Sequence, residues 1–373
     1  MERNIIWYIH EYGNQSFDQF PLNEVDALIF SQLAYNSYDS VLNNFSDEIS
    51  FSNSYDTLIK NNKKDQGMSK DNGRKVLYTM KNKQRYKNII FKYYRYMIGE
   101  DYQFGAISII IPNKYIYINF EGTDSTISGW KEDFSFSYKY PTTSQSLAGS
   151  YINEVLNNCN LPCIITGHSK GGNLALAGVM NTNTFKLRKI IKIYSFDGPG
   201  LRNKEFYSLK YKLIRNKLIN IIPEQSFFGV LLNQENTIII RSYAVGIMQH
   251  SALNWKVDKN SFLRGKQSNL SINLSIAIEK WLNKYSELQK EEITQYLFSL
   301  FESNGIKSLP ELKRNKFKII NIIKSSITMS KGTKLVLFNC FQVLIGEINL
   351  QIMEDNEKNF FGMIEKIKRD LIN

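Results

Sequence analysis

The chain has 373 residues, 43% of them hydrophobic and 22% charged, with a formal net charge of +12 at pH 7. Such a balance excludes a disordered or fibrous chain, and the length allows one large domain or two around a substantial core. The basic residues gather in Lys60 to Lys87, Arg202 to Lys217 and Lys313 to Lys318. No nucleic-acid-binding signature accompanies them, so they read as solvated lysines or as peripheral contact with an anionic membrane.

The opening residues, Met1 to Glu11, contain no long apolar stretch and no small-residue cleavage site. No Sec signal is expected, and the reading is a cytoplasmic protein, with export by another route left open. Leu335 to Gly346 is uncharged and apolar but interrupted by Asn339 and Gln342. It is too short to span a bilayer and reads as a buried helix. Cys159, Cys163 and Cys340 are an odd number in a long chain, which points to free thiols in a reducing compartment rather than to disulfides or a metal site.

Taken in order, residues 1 to 14 are aromatic-rich and expected to pack on the body. Leu22 to Tyr35 carries apolar residues at helical spacing, predicting a helix over about 23 to 36. Residues 37 to 75 are polar and read as loops or short helices. The aromatic spacing of Tyr86 to Met97 suggests another helix. Phe104 to Pro112 and Tyr115 to Phe120 are β-branched or aromatic runs joined by Pro112-Asn113-Lys114, a hairpin signal. Trp130 and Asp133 fall on a helical or irregular stretch, and Ser144 to Asn158 reads as a helix.

The most informative stretch follows. Ile164-Ile165-Thr166-Gly167-His168-Ser169-Lys170-Gly171-Gly172 runs from an apolar strand through a glycine-flanked serine into an apolar-periodic segment. In such a nucleophile elbow the positions two before and two after the serine must lack bulk, and Gly167 and Gly171 meet that demand. Further strands are expected at Ile190 to Phe196, Lys217 to Ile222 and Thr237 to Ser242. Strands alternating with helices imply a mostly parallel sheet covered on both faces. From about residue 268 the apolar spacing becomes helical, in Ile272 to Tyr285, Glu292 to Phe301, Leu309 to Met329, Lys334 to Ile345 and Asn359 to Leu371. The chain therefore divides into a body over 1–265 and a helical extension over 266–373, which is open to a protein partner of unknown kind.

A serine hydroxyl becomes a nucleophile when a base takes its proton. Three histidines are available: His10, His168 and His250. His168 adjoins the serine and is expected to support the sheet or its rim, while His10 lies in an aromatic segment far upstream. His250, after the last predicted strand, is the expected base. Two carboxylates compete to orient it: Asp197, in Asp197-Gly198-Pro199-Gly200, is favoured, and Glu224 is the alternative. Both fall between serine and histidine in chain order. The N–H of Lys170 and the N–H and hydroxyl of Thr123 are the expected oxyanion donors.

Ile118-Asn119-Phe120-Glu121-Gly122-Thr123-Asp124-Ser125, then Trp130 and Asp133, then Gly167 to Gly172 with Leu174-Ala175, resembles the class 3 lipases among α/β hydrolases. With Val25 to Leu28, Phe196 to Gly200, Ser226 to Leu232, Gln249-His250 and Trp255, the chain is more similar still to a bacterial lipase-like domain family of unknown function. The match runs over about 22 to 257. It implies an α/β-hydrolase fold, serine carboxylester hydrolysis without a cofactor, and Ser169 and His250 as nucleophile and base. Three departures stand out: Glu121 replaces the usual arginine, Lys170 replaces the leucine after the serine, and the usual site of the aspartate offers only Asn220, Glu224 or Ser226. A small or lipid ester is the expected substrate. A phospholipase-type effector and an inactive scaffold are the alternatives.

Overall fold

The structure is a computed structural model that describes residues 2–64, 67–123 and 127–305. Helices α1 (Ile5–Tyr12) and α2 (Glu24–Leu33) precede strand β1 (Glu48–Ser50), helices α3 (Phe51–Asn61) and α4 (Met68–Thr79), and strands β2 (Ile90–Ile98), β3 (Gln103–Ile111) and β4 (Tyr115–Phe120). Helices α5 (Ile127–Ser135) and α6 (Thr143–Asn158) lead to strand β5 (Cys163–His168), helix α7 (Lys170–Asn181) and strand β6 (Ile190–Phe196). Helices α8 (Asn203–Phe206) and α9 (Leu209–Ile214), strands β7 (Leu218–Pro223) and β8 (Thr237–Ile240) and the small hairpin β9 (Val257–Asp258) and β10 (Ser261–Phe262) complete the body. Helices α10 (Asn269–Lys284) and α11 (Glu287–Ser303) follow.

The first eight strands form one sheet in chain order. The pairs from β1 to β4 are antiparallel and those from β4 to β8 parallel. Alternation along each strand sends neighbours to opposite faces. Ile164 and Tyr117 join the core under α1 and α2, while Ile165, Ile116 and Ile118 join the core under α6 and α7. Both faces are thereby covered, the arrangement expected of an α/β-hydrolase sheet.

Local capping explains several helix starts. Asn23 accepts the Asp26 N–H while the Asp26 side chain takes the Asn23 N–H, and Thr142 and Gln145 do the same for α6. The helix suggested over Tyr86 to Met97 is instead mostly strand β2. Its pairing slips between Lys92 and Arg95, where Tyr93 takes φ +60°. This bulge breaks the two-residue alternation, so the aromatic spacing imitates a helix. The polar 37–75 stretch contains β1, α3 and the start of α4.

Helices α10 and α11 take the place of the first two helices expected in the extension. Leu309 to Met329, Lys334 to Ile345, Asn359 to Leu371, Cys340 and Lys313 to Lys318 lie outside the described residues. Among the described residues no helix is long and apolar enough to cross a membrane, and Cys159 and Cys163 are free thiols.

One buried ion pair ties the amino-terminal helices to the approach to β2. Arg85 grips both Asp26 oxygens, at 2.9 and 2.6 Å, and donates to the Phe20 carbonyl at 2.7 Å. Both side chains are fully buried. Arg85→Met leaves Asp26 without its counter-charge and should lower the unfolding free energy by about 3–5 kcal/mol in urea titrations. Changing both residues, Asp26→Leu with Arg85→Met, should recover most of that loss.

Candidate active site

The site sits at the carboxyl ends of β5 and β6. Between β5 and α7, Ser169 has φ +59° and ψ −132°, a conformation L-residues avoid. Its N–H donates to the Phe196 carbonyl at 2.9 Å, and its own carbonyl accepts from Gly172 N–H at 2.8 Å. The turn closes only because its flanks are glycine. A Cβ on Gly167 would lie 2.0 Å from the Gly171 carbonyl oxygen, and one on Gly171 would lie 2.3 Å from that of Phe120. The half-buried Ser169 side chain makes no capping bond to α7, leaving its hydroxyl uncommitted to the helix.

Asp197, directly after β6, is fully buried and also left-handed, with φ +49°. Its Oδ1 accepts from the Ser226 hydroxyl and from Gly229 N–H at 3.0 Å. Its Oδ2 lies 2.6 Å from His250 Nδ1. A carboxylate only accepts here, so Nδ1 donates to it, and in the neutral imidazole Nε2 is the acceptor nitrogen. His250 closes a short helical turn, Gly246–His250, whose loop is held by Trp255 Nε1 donating to the Gln249 carbonyl at 2.7 Å. Glu224 lies elsewhere: its Oε1 is 3.4 Å from Lys266 N–H and 4.0 Å from the Arg241 guanidinium.

His168 does face the site's underside. Its Nε2 is 2.8 Å from the His250 carbonyl oxygen, an obligate acceptor, so that nitrogen holds the proton. Its Nδ1 meets the Tyr35 hydroxyl at 3.1 Å. The two imidazoles stand 4.6 Å apart between centroids, and Phe228 covers the other histidine at 4.2 Å. Burial first, and His250 second, push the His168 pKa down to about 3. It remains a neutral strut. Burial likewise raises Tyr35, so its hydroxyl keeps its proton.

The Thr123 hydroxyl donates to Asp133 Oδ2, so of the two donors expected from that residue the hydroxyl is already engaged, and the N–H is the one left to the oxyanion role. The adjacent Glu132 grips the Lys170 ammonium at 2.7 Å, with the Gln103 carbonyl at 2.7 Å completing the seat. Glu132 also accepts from the Ser144 N–H and hydroxyl, at 2.9 and 2.7 Å. Neighbouring carboxylates of α5 thus hold the two residues expected to supply oxyanion donors. The sequence hinted at this only through the lysine where class 3 lipases have leucine. Ser226 and Gly229 fell within the stretch that carried the family resemblance, but neither their role as partners of Asp197 nor that of Tyr35 as partner of His168 was legible, because each acts through a contact distant in sequence. Among the described residues no group of three or more His, Cys, Asp or Glu is placed to hold a metal ion.

A serine on a strained strand-to-helix turn and an aspartate–histidine pair over neighbouring strand ends, on a mostly parallel covered sheet, define a lipase-like α/β hydrolase. The chain belongs to the Mbeg1-like family, whose sequence model matches residues 80–299. No curated relative matches it. Among solved structures, M37 lipase is similar at 15% identity with a TM-score of 0.36, over 71% of this chain and 82% of that one. A fungal lipase–inhibitor complex is similar at 14% identity with a TM-score of 0.34, over 67% and 95%.

The buried neutral His168 has a pH consequence. Unfolded, its pKa returns to near 6.5, so between that value and about 3 the unfolded chain binds the extra proton. Its contribution to stability is therefore present above pH 6.5 and is lost on acidification through that window. Between pH 7.5 and 5 the wild type should lose about 2 kcal/mol more unfolding free energy than His168→Gln, read from urea melts at the two pH values.

Proposed function

We propose that this chain is a serine carboxylester hydrolase of the lipase or esterase kind, acting through an acyl-enzyme on Ser169. The observation that carries the reading is the 2.6 Å bond between Asp197 Oδ2 and His250 Nδ1, with Asp197 following the residue whose carbonyl accepts the Ser169 N–H. With Nδ1 protonated, Nε2 is the base. The Ser169 oxygen attacks the ester carbonyl carbon as its proton passes to His250 Nε2, and the carbonyl electron pair moves onto the oxygen. The N–H groups of Lys170 and Thr123 receive that charge, helped by the amino end of α7. Collapse expels the alcohol, which takes the proton from His250. Water then repeats the sequence and releases the acid.

The walls suggest an apolar acyl group. Phe228 covers His250, and Trp130 lies 6.0 Å from Phe228, both nearly buried. In this reading Asp197 is the orienting acid, one strand earlier than the usual lipase position, where Ser226 now braces its carboxylate. No cofactor is required.

A fluorophosphonate probe tests the assignment. Wild-type protein should label and hydrolyse short nitrophenyl esters, and Ser169→Ala should do neither. Asp197→Asn should retain the fold but lose about 10²–10⁴-fold in kcat, because the histidine tautomer is no longer dictated. Absence of labelling in the wild type, under conditions that label a control esterase, refutes the reading and leaves an inactive hydrolase scaffold.

A further inference from the structure

The amino ends of the parallel strands lie at the opposite end of the sheet from Ser169. With β5 and β6 six and seven residues long, the separation is about 20 Å. The turn Thr184–Lys189 and the segment from α9 through Arg215–Lys217 meet there. Lys217 Nζ donates to the carbonyls of Leu187 and Ile190, each at 2.7 Å, and Lys210 Nζ to that of Thr182, knitting the two segments together. On this joined surface Phe185 is 83% exposed, Leu209 80% and Leu213 60%. Tyr211 and Ile214 take the buried side of α9, so Leu209 and Leu213, four residues apart, project together into solvent.

Cations surround these apolar tips. Arg188, Lys212 and Arg215 are exposed, and among the described residues none of them makes an ion pair. Between residues 183 and 217 the acids are Asp197 and Glu205. Asp197 is buried at the other end of the strands, and Glu205 is buried and paired with Arg202. From outside this span the half-buried Glu235 approaches Tyr211 on the inner side of α9, so the solvent-facing surface keeps a cationic excess over one local acid.

We propose that this end of the molecule docks on an anionic lipid bilayer. Aromatic and aliphatic tips ringed by lysine and arginine match a headgroup layer, where the apolar atoms enter the acyl boundary and the cations meet phosphate. Charge complementarity selects an anionic bilayer over a zwitterionic one. Docked in this way, the site at the carboxyl ends of the strands faces away from the supporting membrane. The bilayer is then an anchor rather than the substrate, and the inference stands apart from the chemistry proposed for Ser169.

Vesicle flotation of the full chain provides the test, with phosphatidylcholine alone against a 7:3 mixture with phosphatidylglycerol. Wild type should float with the anionic vesicles, and raising salt from 0.1 to 0.5 M should weaken binding at least tenfold. Two surface triples, Phe185→Ser with Leu209→Ser and Leu213→Ser, and Arg188→Glu with Lys212→Glu and Arg215→Glu, should each lower binding at least tenfold at an unchanged thermal midpoint. The proposal is overturned if wild type floats with neither vesicle, or if both triples bind as wild type does. It is equally overturned if wild type is a dimer that the serine triple dissociates, because a second copy then covers the face.

Discussion

The hydrogen bond between Asp197 and His250 joins residues 53 apart in sequence and depends on everything beneath it. Asp197 reaches the histidine because β6 lies between β5 and β7, with His168 level with Phe196 and Phe196 level with Ile221. Its N–H is held by the Ile221 carbonyl at 2.8 Å, and its outer oxygen by Ser226 and Gly229. A buried carboxylate is tolerated only when its lone pairs are so occupied. The histidine, in turn, is pinned from below by His168. Sheet register, carboxylate satisfaction and imidazole tautomer therefore form one chain of dependence.

Strain concentrates at the same place. Ser169 and Asp197 both adopt positive φ, a cost of order 1–3 kcal/mol each that a loosely packed turn would relax. The surrounding core, including fully buried Leu174, Ala175 and Phe196, leaves no room for that relaxation. Helix α5 adds a second restraint, for Glu132 and Asp133 reach in different directions to Lys170 and Thr123. Phe134, the next residue, packs on Phe298 of α11 at 5.5 Å, and the Ser271 hydroxyl of α10 donates to the Ser226 carbonyl at 2.8 Å. The two helices after residue 266 thus contact the segments that brace the site.

The two ends of the sheet differ in chemistry. Around the site at the carboxyl ends, the charges of Asp197, Glu132 and Lys170 are buried and seated among donors or acceptors. At the amino ends, cations and large apolar tips are left to solvent, a combination costly in isolation unless a surface covers it. A parallel sheet makes this division natural, since all its carboxyl ends fall on one edge and all its amino ends on the other.

Much of the fold was legible in the chain itself. β-branched runs separated by capped helical segments specify an α/β sheet through local propensity and period, and the spacing Gly167-x-Ser169-x-Gly171 specifies the elbow because only glycine fits where backbone crosses backbone. Asp197 was favoured over Glu224 as neighbour of His250 but not fixed, and beyond that reach lay the bulge that disguised β2 and the partners Tyr35, Ser226 and Glu132. Each of these turns on which side chains meet across tens of residues, a matter of strand register and packing that no local pattern encodes. Sequence determined the elements and the chemistry available to them; tertiary structure alone decided which carboxylate, of two that local pattern treated nearly alike, came within hydrogen-bond reach of the imidazole.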